Sequence, residues 1–461
     1  MSPYASIVIP TFDRASTLAA SIRSALGQTV QNIEVIICGD GATEDVRTIA
    51  HELERQDGRV RFLDFPKAPH RGAVNRHRAV EDARSERIFY NDDDDLLLPH
   101  HVETLGPELD HAGIVSTPVI SVQTDGRISL GLEDSSHPLI RQLFVDDRYK
   151  GIFDTHIAHR KSSYRANDAN WGDAADRRPV THMLKGFAAN PAVVWRNIHR
   201  ITALSFHGAC RTGMPAQERA GELARWTKEI ETANATEASL RHRGTYAFHA
   251  MRLFRVLRPL GHMDDETQLT PLLGHTFSSD FFTTHQSAQL SAMRALFLKQ
   301  QAPVDVCVSL LEDLANARLG SAYVTGTAVQ LLLRGLPRST AQEVVESCTP
   351  RPAISLALFH LKARLKSVTE ADIALVEAAM QDSEPWTRHH FGLSIVEALE
   401  KARCLDAAWR FCLGLEQGGP ENSPYAIDYW RIRERVALAR HDGHEADAAR
   451  ETWIQLEEQF K

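Results

Sequence analysis

The sequence predicts an α/β fold, a parallel Rossmann-like sheet, followed by an all-α region of helical hairpins. Three observations carry this expectation. Short β-branched apolar runs alternate with helical patterns over the first hundred or so residues, an acidic cluster stands directly after the fourth run, and beyond about residue 212 helical spacing takes over. Strict alternation of strand and helix implies a parallel sheet covered on both faces, with ligands at the carboxyl ends of its strands.

The elements follow in order. Ala5 to Ile9 reads as a buried strand, and from Ser16 the residues Leu18, Ile22, Ala25 and Leu26 recur at helical spacing. Ile33 to Cys38 is a second strand and Glu44 to Arg55 a helix. Val60 to Phe65 is a third strand, Ala73 to Arg84 a third helix, and Arg87 to Tyr90 a fourth strand running into acid. Function is therefore expected just after Ile9, Cys38, Phe65 and Tyr90. Between about 110 and 210 the pattern is mixed, with short strands at Gly113 to Ser116 and Ile201 to Phe206. Beyond it, Ala216 to Thr232, Ser239 to Leu257, Gln286 to Lys299, Val304 to Leu314, Ile354 to Leu365, Glu370 to Met380, Trp386 to Lys401 and Ala426 to His441 read as amphipathic helices. The pair around Gly443 has a loose tetratricopeptide-like cadence, a Gly turn between small-residue faces, without a clean period of about 34. The expected domains are 1–210, a linking helical part over 211–300, and a helical-hairpin domain over 301–461.

Composition bounds the partners. The chain has 461 residues, 43% hydrophobic and 24% charged, with net charge −8. That is a globular balance rather than a disordered or polybasic nucleic-acid-binding one. Six scattered cysteines without a C-x-x-C pair indicate reduced thiols and no zinc site. The opening MSPYASIVIPTFDR lacks a basic n-region, and no run of about 18 apolar residues free of charge occurs, so neither a signal peptide nor a membrane span is expected. The expected location is cytoplasmic, with any work at the inner membrane peripheral.

The strongest chemical signal is Asn91-Asp-Asp-Asp-Asp-Leu-Leu-Leu-Pro99. A solvated acidic turn is one reading. The other is that four carboxylates at the mouth of a buried strand repel one another and are relieved by a divalent cation carrying a diphosphate. The spacing is not that of an EF-hand. Cys38-Gly-Asp-Gly-Ala-Thr43 offers glycines for a tight turn and Asp40 as an acceptor for a base N–H, or is a plain turn capped by Thr43.

Taken together, Val8-Ile-Pro-Thr-Phe-Asp-Arg14, Ile37-Cys-Gly-Asp-Gly-Ala-Thr43, Gly72-Ala-Val-Asn-Arg-His77 and Ile88-Phe-Tyr-Asn-Asp-Asp-Asp-Asp-Leu-Leu-Leu-Pro99 stand in an order and spacing that resembles the family 2 glycosyltransferases. These are inverting, nucleotide-sugar-dependent enzymes of the GT-A fold. The resemblance implies that Pro10, Thr11 and Phe12 line the base pocket, that Asp40 binds the base, and that Arg71 or Arg76 meets the diphosphate. It also implies that Asp92 and Asp94 are the two acids of a D-x-D motif touching ribose and metal, with Asp93 beside them and Asp95 in support. Mn²⁺ or Mg²⁺ and a nucleotide diphosphate sugar, with a UDP-sugar first, are the implied cofactor and donor. Two departures are Gly39 in place of the first Asp of D-D-G and His77 in place of Asn.

The same resemblance places a catalytic base in Asn170-Trp-Gly-Asp-Ala-Ala-Asp-Arg177, with Asp173 favoured over Asp176, although Asp173 is equally a helix cap. His207 resembles a late family histidine approaching the metal or the diphosphate, or is structural. His159 to Arg165 resembles the strand that carries the donor sugar past the site, or is a solvated face. His100 and His101 face the metal or, the favoured reading, form the partly exposed start of a helix, and Trp171 reads as a sugar-stacking platform beside the base. The expected activity is metal-dependent inverting transfer of a sugar to a glycan, glycolipid or protein acceptor in bacterial surface-glycan assembly, with a protein partner or self-association through the helical region. Its rivals are a sugar nucleotidyltransferase and a nucleotide-binding scaffold without transfer activity.

Overall fold

An apolar segment interrupted only by Ser6 has no face to offer water, and Ala5–Thr11 accordingly becomes a strand buried along its whole length, with the Ser6 hydroxyl donating to Glu34 at 2.6 Å. A computed structural model describes residues 2–124, 126–131, 134–146, 153–174, 179–206, 211, 213–245, 304, 308, 336–348, 352–381, 385–416 and 426–459. Its first elements are β1 (Ala5–Thr11), α1 (Ala15–Leu26), β2 (Ile33–Asp40), α2 (Glu44–Gln56), β3 (Val60–Phe65), α3 (Pro69–Asp82) and β4 (Arg87–Tyr90). There follow β5 (Leu96–Leu97), α4 (His101–Leu105), β6 (Ile114–Ser116), β7 (Ile120–Val122), β8 (Ile128–Leu130), α5 (Pro138–Val145), β9 (Ile157–Arg160), α6 (Lys161–Arg165) and α7 (Pro179–Ala189). β10 (Trp195–Asn197), β11 (Ala203–Leu204), α8 (Ala216–Glu231), α9 (Glu237–Arg243) and β12 (Gly244–Thr245) complete this part. The later helices are α10 (Arg338–Ser347), α11 (Pro352–Leu365), α12 (Glu370–Gln381), α13 (Pro385–Lys401), α14 (Leu405–Glu416), α15 (Ala426–Ala439) and α16 (Gly443–Gln459). Two compact units result, one holding β1 through β12 and the other α10 through α16.

The main sheet has seven strands in the order β10-β6-β9-β4-β1-β2-β3. β1 through β4 are parallel, with Val8 opposite Tyr90, Thr11 opposite Gly39 and Asp40 opposite Phe65. Their carboxyl ends therefore open on one edge. Ile7, Ile9, Leu18, Ile22, Val35, Val46 and Phe89 form the core beneath that edge. The expected α/β fold is thus observed, but the sheet is mixed: β9 runs antiparallel to both β4 and β6. Two small sheets, β11-β5 and β12-β8-β7, lie beside it.

Other expectations change in detail. The predicted helix from Ser239 ends as α9 at Arg243, where Gly244 and Thr245 pair with β8, so strands do not stop at 212. Of Ile201 to Phe206 only Ala203–Leu204 is paired as a strand. Gln286 to Lys299 and nearly all of Val304 to Leu314 lie outside the described residues. In the second unit Phe359, Ile373, Val376, Leu399, Phe411 and Val436 make the core. The turn before α16 uses His441 in the left-handed region (φ 63°), while Gly443 opens the helix instead of making the turn. Among the described residues no helix is long and apolar enough to cross a membrane.

Candidate active site

The edge formed by β1 to β4 collects the residues singled out in the sequence. Pro10 and Thr11 are buried at the end of β1, and Phe12 follows with 40% of its surface exposed. The Lys67 ammonium lies 3.5 Å from the Phe12 ring centroid and 2.9 Å from Asp40 Oδ2. Asp40 Oδ1 accepts from the Ala68 N–H and from Asn75 Nδ2, both at 2.8 Å. Asp40 thus holds the loop from β3 into α3. That loop needs Gly72: at φ 73° a Cβ there would sit 2.5 Å from Asp40 Cγ. Of the two glycines expected to make a turn, only Gly41 (φ 65°) does so, since Gly39 lies within β2.

His70 and Arg71 share the left-handed region with Gly72, so regular helix begins at Ala73. Arg71 is exposed, and its carbonyl accepts from Arg76 Nη1 at 2.8 Å. Arg76 turns inward: its Nε is buried without a hydrogen-bond partner, and its charge acts on Asp92 and Asp154. His77 Nδ1 is 2.8 Å from the Tyr164 hydroxyl, a local contact.

The acidic run is no wet loop, because Asp93, Asp94 and Asp95 are 6%, 3% and 3% exposed. Nor is its repulsion left to a metal alone. Arg14 Nη1 bridges Asp93 Oδ1 at 2.9 Å and Asp94 Oδ1 at 2.8 Å, while Arg219 Nη2, from the first turns of α8, pairs with Asp94 Oδ2. Asp95 is saturated: Oδ2 accepts from Thr155 at 2.6 Å and Ser205 at 2.7 Å, and Oδ1 from the Phe206 N–H at 2.7 Å. Among the described residues the Asp92 carboxylate has no hydrogen-bond partner, although its own N–H is 3.1 Å from the Thr155 hydroxyl. Burial, then the charges of Asp154, Asp95 and Asp94, pushes Asp92 well above the ordinary carboxylate range. Burial raises Asp93 to about 6 against the pull of Arg14, and raises Asp95 to about 7 with help from Asp94. Asp154, which no sequence pattern marked, is also raised by burial, and its Oδ2 is buried without a partner.

These oxygens fit a hard divalent cation in chemistry: Asp92 is unpaired and Asp154 carries an orphaned acceptor, the donor type that Mg²⁺ and Mn²⁺ select. Among the described residues, however, no three acidic, His or Cys side chains converge as a finished cage. His207 and Asp176 lie outside the described residues.

The expected base segment is held from below. Trp171 is fully buried, so it is no sugar platform. Its Nε1 donates to Tyr90 Oη at 2.9 Å, Tyr90 donates to His159 Nε2 at 2.8 Å, and His159 Nδ1 donates to the Arg160 carbonyl at 3.1 Å. That carbonyl can only accept, which fixes the imidazole tautomer. His159 is therefore a buried member of β9, held down to about 4 by burial. Of the basic residues after it, Lys161 caps the carbonyls of Glu81 and Ala83, while Arg160 and Arg165 are 43% and 54% exposed and pair with Glu86 and Glu81, as on a solvated face. His101 is likewise fully buried against Thr202 instead of partly exposed, and burial lowers it to about 3.

Asp173 is different. Its side chain is 48% exposed, and Oδ1 accepts from the Asn170 N–H at 2.8 Å and sits 3.0 Å from His182 Nε2. Its partial burial would raise it, but these two donors hold it below the usual carboxylate range. The helix α7 is described from Pro179, and the residues between it and Ala174 lie outside the described ones, as does the choice between cap and base. No sequence pattern assigns a role to Arg14, Arg219, Asp154 or Lys67. Arg14 alone stood inside a quoted motif, and Arg219 is 125 residues from its partner.

The family model described as Glycosyl transferase family 2 matches residues 6–165. A Campylobacter jejuni relative, GalNAc(5)-diNAcBac-PP-undecaprenol beta-1,3-glucosyltransferase, is 23% identical over 217 residues, 45% of this chain and 64% of that protein. A Pasteurella multocida chondroitin synthase is 37% identical over 101 residues, 22% of this chain and 10% of the synthase. The chain thus spans less than two thirds of the length of these curated relatives. The S. aureus TarS 1-349 crystal structure in complex with UDP-GlcNAc overlaps 82% of this chain and 92% of its own at 13% identity, with a TM-score of 0.37 too low to bear on fold or ligand. The matched segment contains β1 to β4, Asp40 and the whole acidic run, so the likeness to glycosyl transferase family 2 extends over residues 6–165 of this chain.

Proposed function

We propose that the chain transfers a sugar from a nucleotide diphosphate sugar to an acceptor hydroxyl with inversion. The observation that carries this reading is a buried acidic run in which one carboxylate, Asp92, has no hydrogen-bond partner among the described residues, on the edge shared by Phe12 and Asp40 within the segment matched by the family 2 model. Pro10, Thr11 and Phe12 would receive the base once Lys67 moves off the ring, and Asp40 would read it. Arg71 and Arg76 would meet the diphosphate, and a UDP-sugar is the donor to test first. Asp92 and Asp94, with Asp93 beside them, are the proposed holders of Mn²⁺ or Mg²⁺. When bound, that ion would offset negative charge on the departing diphosphate.

Asp173 is the proposed base, with Asp176 as its rival. It takes the proton of the acceptor O–H. The freed oxygen pair forms the new bond to the anomeric carbon, and the carbon–oxygen bond to the diphosphate breaks on the opposite face with its electron pair leaving on the nucleotide. No covalent intermediate is required. The acceptor is a glycan, glycolipid or protein; the lipid-linked substrate in the name of the Campylobacter relative favours work peripheral to the inner membrane from the cytoplasm. The helical unit is the proposed surface for a protein partner or self-association.

Incubation of the purified chain with a panel of nucleotide diphosphate sugars and Mn²⁺ tests the reading. We expect release of one nucleoside diphosphate and its near-complete loss in Asp92→Asn. Pyrophosphate release from a nucleoside triphosphate and a sugar phosphate would replace this reading by nucleotidyl transfer. Undiminished transfer by Asp94→Ala would remove the acidic run from catalysis.

A further inference from the structure

The acidic run contains a cation already. Asp94, the second acid of the D-x-D pair, has both oxygens occupied: Oδ1 by Arg14 and Oδ2 by Arg219. The two guanidinium groups are held unequally. Arg14 is shared with Asp93 Oδ1 at 2.9 Å and stands at the N-terminus of α1, so it has a second anchor if Asp94 is withdrawn. Arg219 pairs with the single oxygen of Asp94, and its Nε is buried with no hydrogen-bond partner. A guanidinium binds a carboxylate best through two parallel N–H bonds, so this is an incomplete grip. Its side chain is nevertheless only 13% exposed, against 4% for Asp94, so the pair is poorly screened by water and salt. The helix that carries Arg219 is fixed independently of this contact. α8 packs on α1, with Leu223 and Trp226 buried and Trp226 edge-on to Phe206. The backbone of Arg219 can therefore stay in place while its side chain moves.

We infer that Arg219 is an internal counter-ion that competes with the divalent cation for Asp94 Oδ2, so that the cation and the Arg219–Asp94 pair exclude one another. This rests on the cation reading proposed above and adds its regulation. A carboxylate oxygen has two lone-pair directions, so the competition is one of charge: a divalent cation on Oδ2 would stand beside the Arg219 guanidinium in a site that water and salt screen poorly, and the two positive charges repel. Free cation must therefore break the pair and leave a poorly hydrated Arg219 without an anion. A cation arriving with a nucleotide diphosphate brings that anion with it. Binding of cation and nucleotide is then coupled through Arg219, and the coupling is reciprocal. Arg219, on α8, lies outside the segment matched by the family model.

Calorimetric titration of the full chain with MnCl₂, alone and with saturating UDP, tests the inference. Arg219→Gln is expected to bind Mn²⁺ alone about tenfold more tightly than the parent, with the gap narrowing to about twofold when UDP is present. Arg219→Lys, which keeps the charge but loses the fork, is expected in between, and it carries the test by itself if Arg219→Gln fails to fold by circular dichroism. Thermal unfolding gives a second readout, since Mn²⁺ should raise the Tm of Arg219→Gln more than that of the parent. Equal or weaker Mn²⁺ affinity in the variants overturns the inference and leaves the cation reading standing. A parent and variants that all bind UDP but never Mn²⁺ overturn both.

Discussion

Two groups of carboxylates in the first unit stand in opposite physical settings. Asp92 to Asp95 are packed at the end of β4, raised or ion-paired, and their charges are answered by Arg14, Arg219, two hydroxyls and a backbone N–H. Asp173 sits on a turn with half its side chain open and is kept ionised by Asn170 and His182. The difference separates two tasks. A buried, over-determined cluster suits the holding of a charged ligand, since desolvation strengthens every charge interaction within it. An open carboxylate that is ionised throughout the neutral range suits an encounter with an acceptor whose shape the domain need not enclose. Its lowered pKa weakens it as a base, and its full ionisation partly offsets that.

The most damaging test of this division is Asp173→Asn. Loss of the base should cut kcat about a thousandfold, with nucleotide diphosphate affinity unchanged. Asp176→Asn should fall much less. If transfer by Asp173→Asn stays within about threefold of the parent while Asp176→Asn collapses, the open turn is structural and the base lies in the neighbouring residue.

The next test asks what holds that turn. Trp171 is, with Trp226, one of the two largest fully buried side chains among the described residues, and it ties the segment to Tyr90 in β4, two positions before Asp92. Trp171→Ala should cost about 4 kcal/mol of stability, read as a large drop in Tm. Trp171→Phe keeps most of the volume and loses the N–H, which should cost about 1 kcal/mol. A sugar platform would behave differently: Trp171→Ala would then raise KM for the donor and leave the Tm nearly untouched.

The same contrast explains what could be read from the chain. β1 to β4, α1 and α2 were legible to within a few residues, because each is a local pattern bounded by its own turn chemistry, and the common edge of their carboxyl ends followed from their alternation. The four motifs along that edge were legible for the same reason. β9 was not, since four residues reading Ile-Ala-His-Arg declare a strand only through partners in β4 and β6. The depth of His101, His159 and Trp171 was hidden because a polar side chain is buried only where distant groups satisfy it. The partners of the acidic run were hidden for a related reason. Four adjacent acids announce their repulsion locally, whereas the arginines that answer it come from the start of α1 and from α8.

The smallest effect concerns pH. The folded protein keeps His159 neutral down to about 4, whereas an unfolded histidine takes up its proton near 6.5. Between those values the unfolded state binds more protons, so His159 removes stability as pH falls, by about 3 kcal/mol at the acid end. Asp93 and Asp95 act in the opposite sense: their raised values mean that the folded state holds protons the unfolded chain has released, so they remove stability as pH rises from about 4 towards 7. The parent profile is therefore a near-cancellation and decides nothing by itself. The difference between the parent and His159→Gln isolates one side, because Gln has no proton to gain and retains a carbonyl for the Tyr90 hydroxyl. Denaturant unfolding at several pH values should show the variant destabilised near pH 7 and gaining on the parent steadily from about 6.5 to 4. A constant gap across that window would mean that the imidazole is already open to water in the folded protein, and the support beneath the Asp173 turn would be looser than its hydrogen bonds imply.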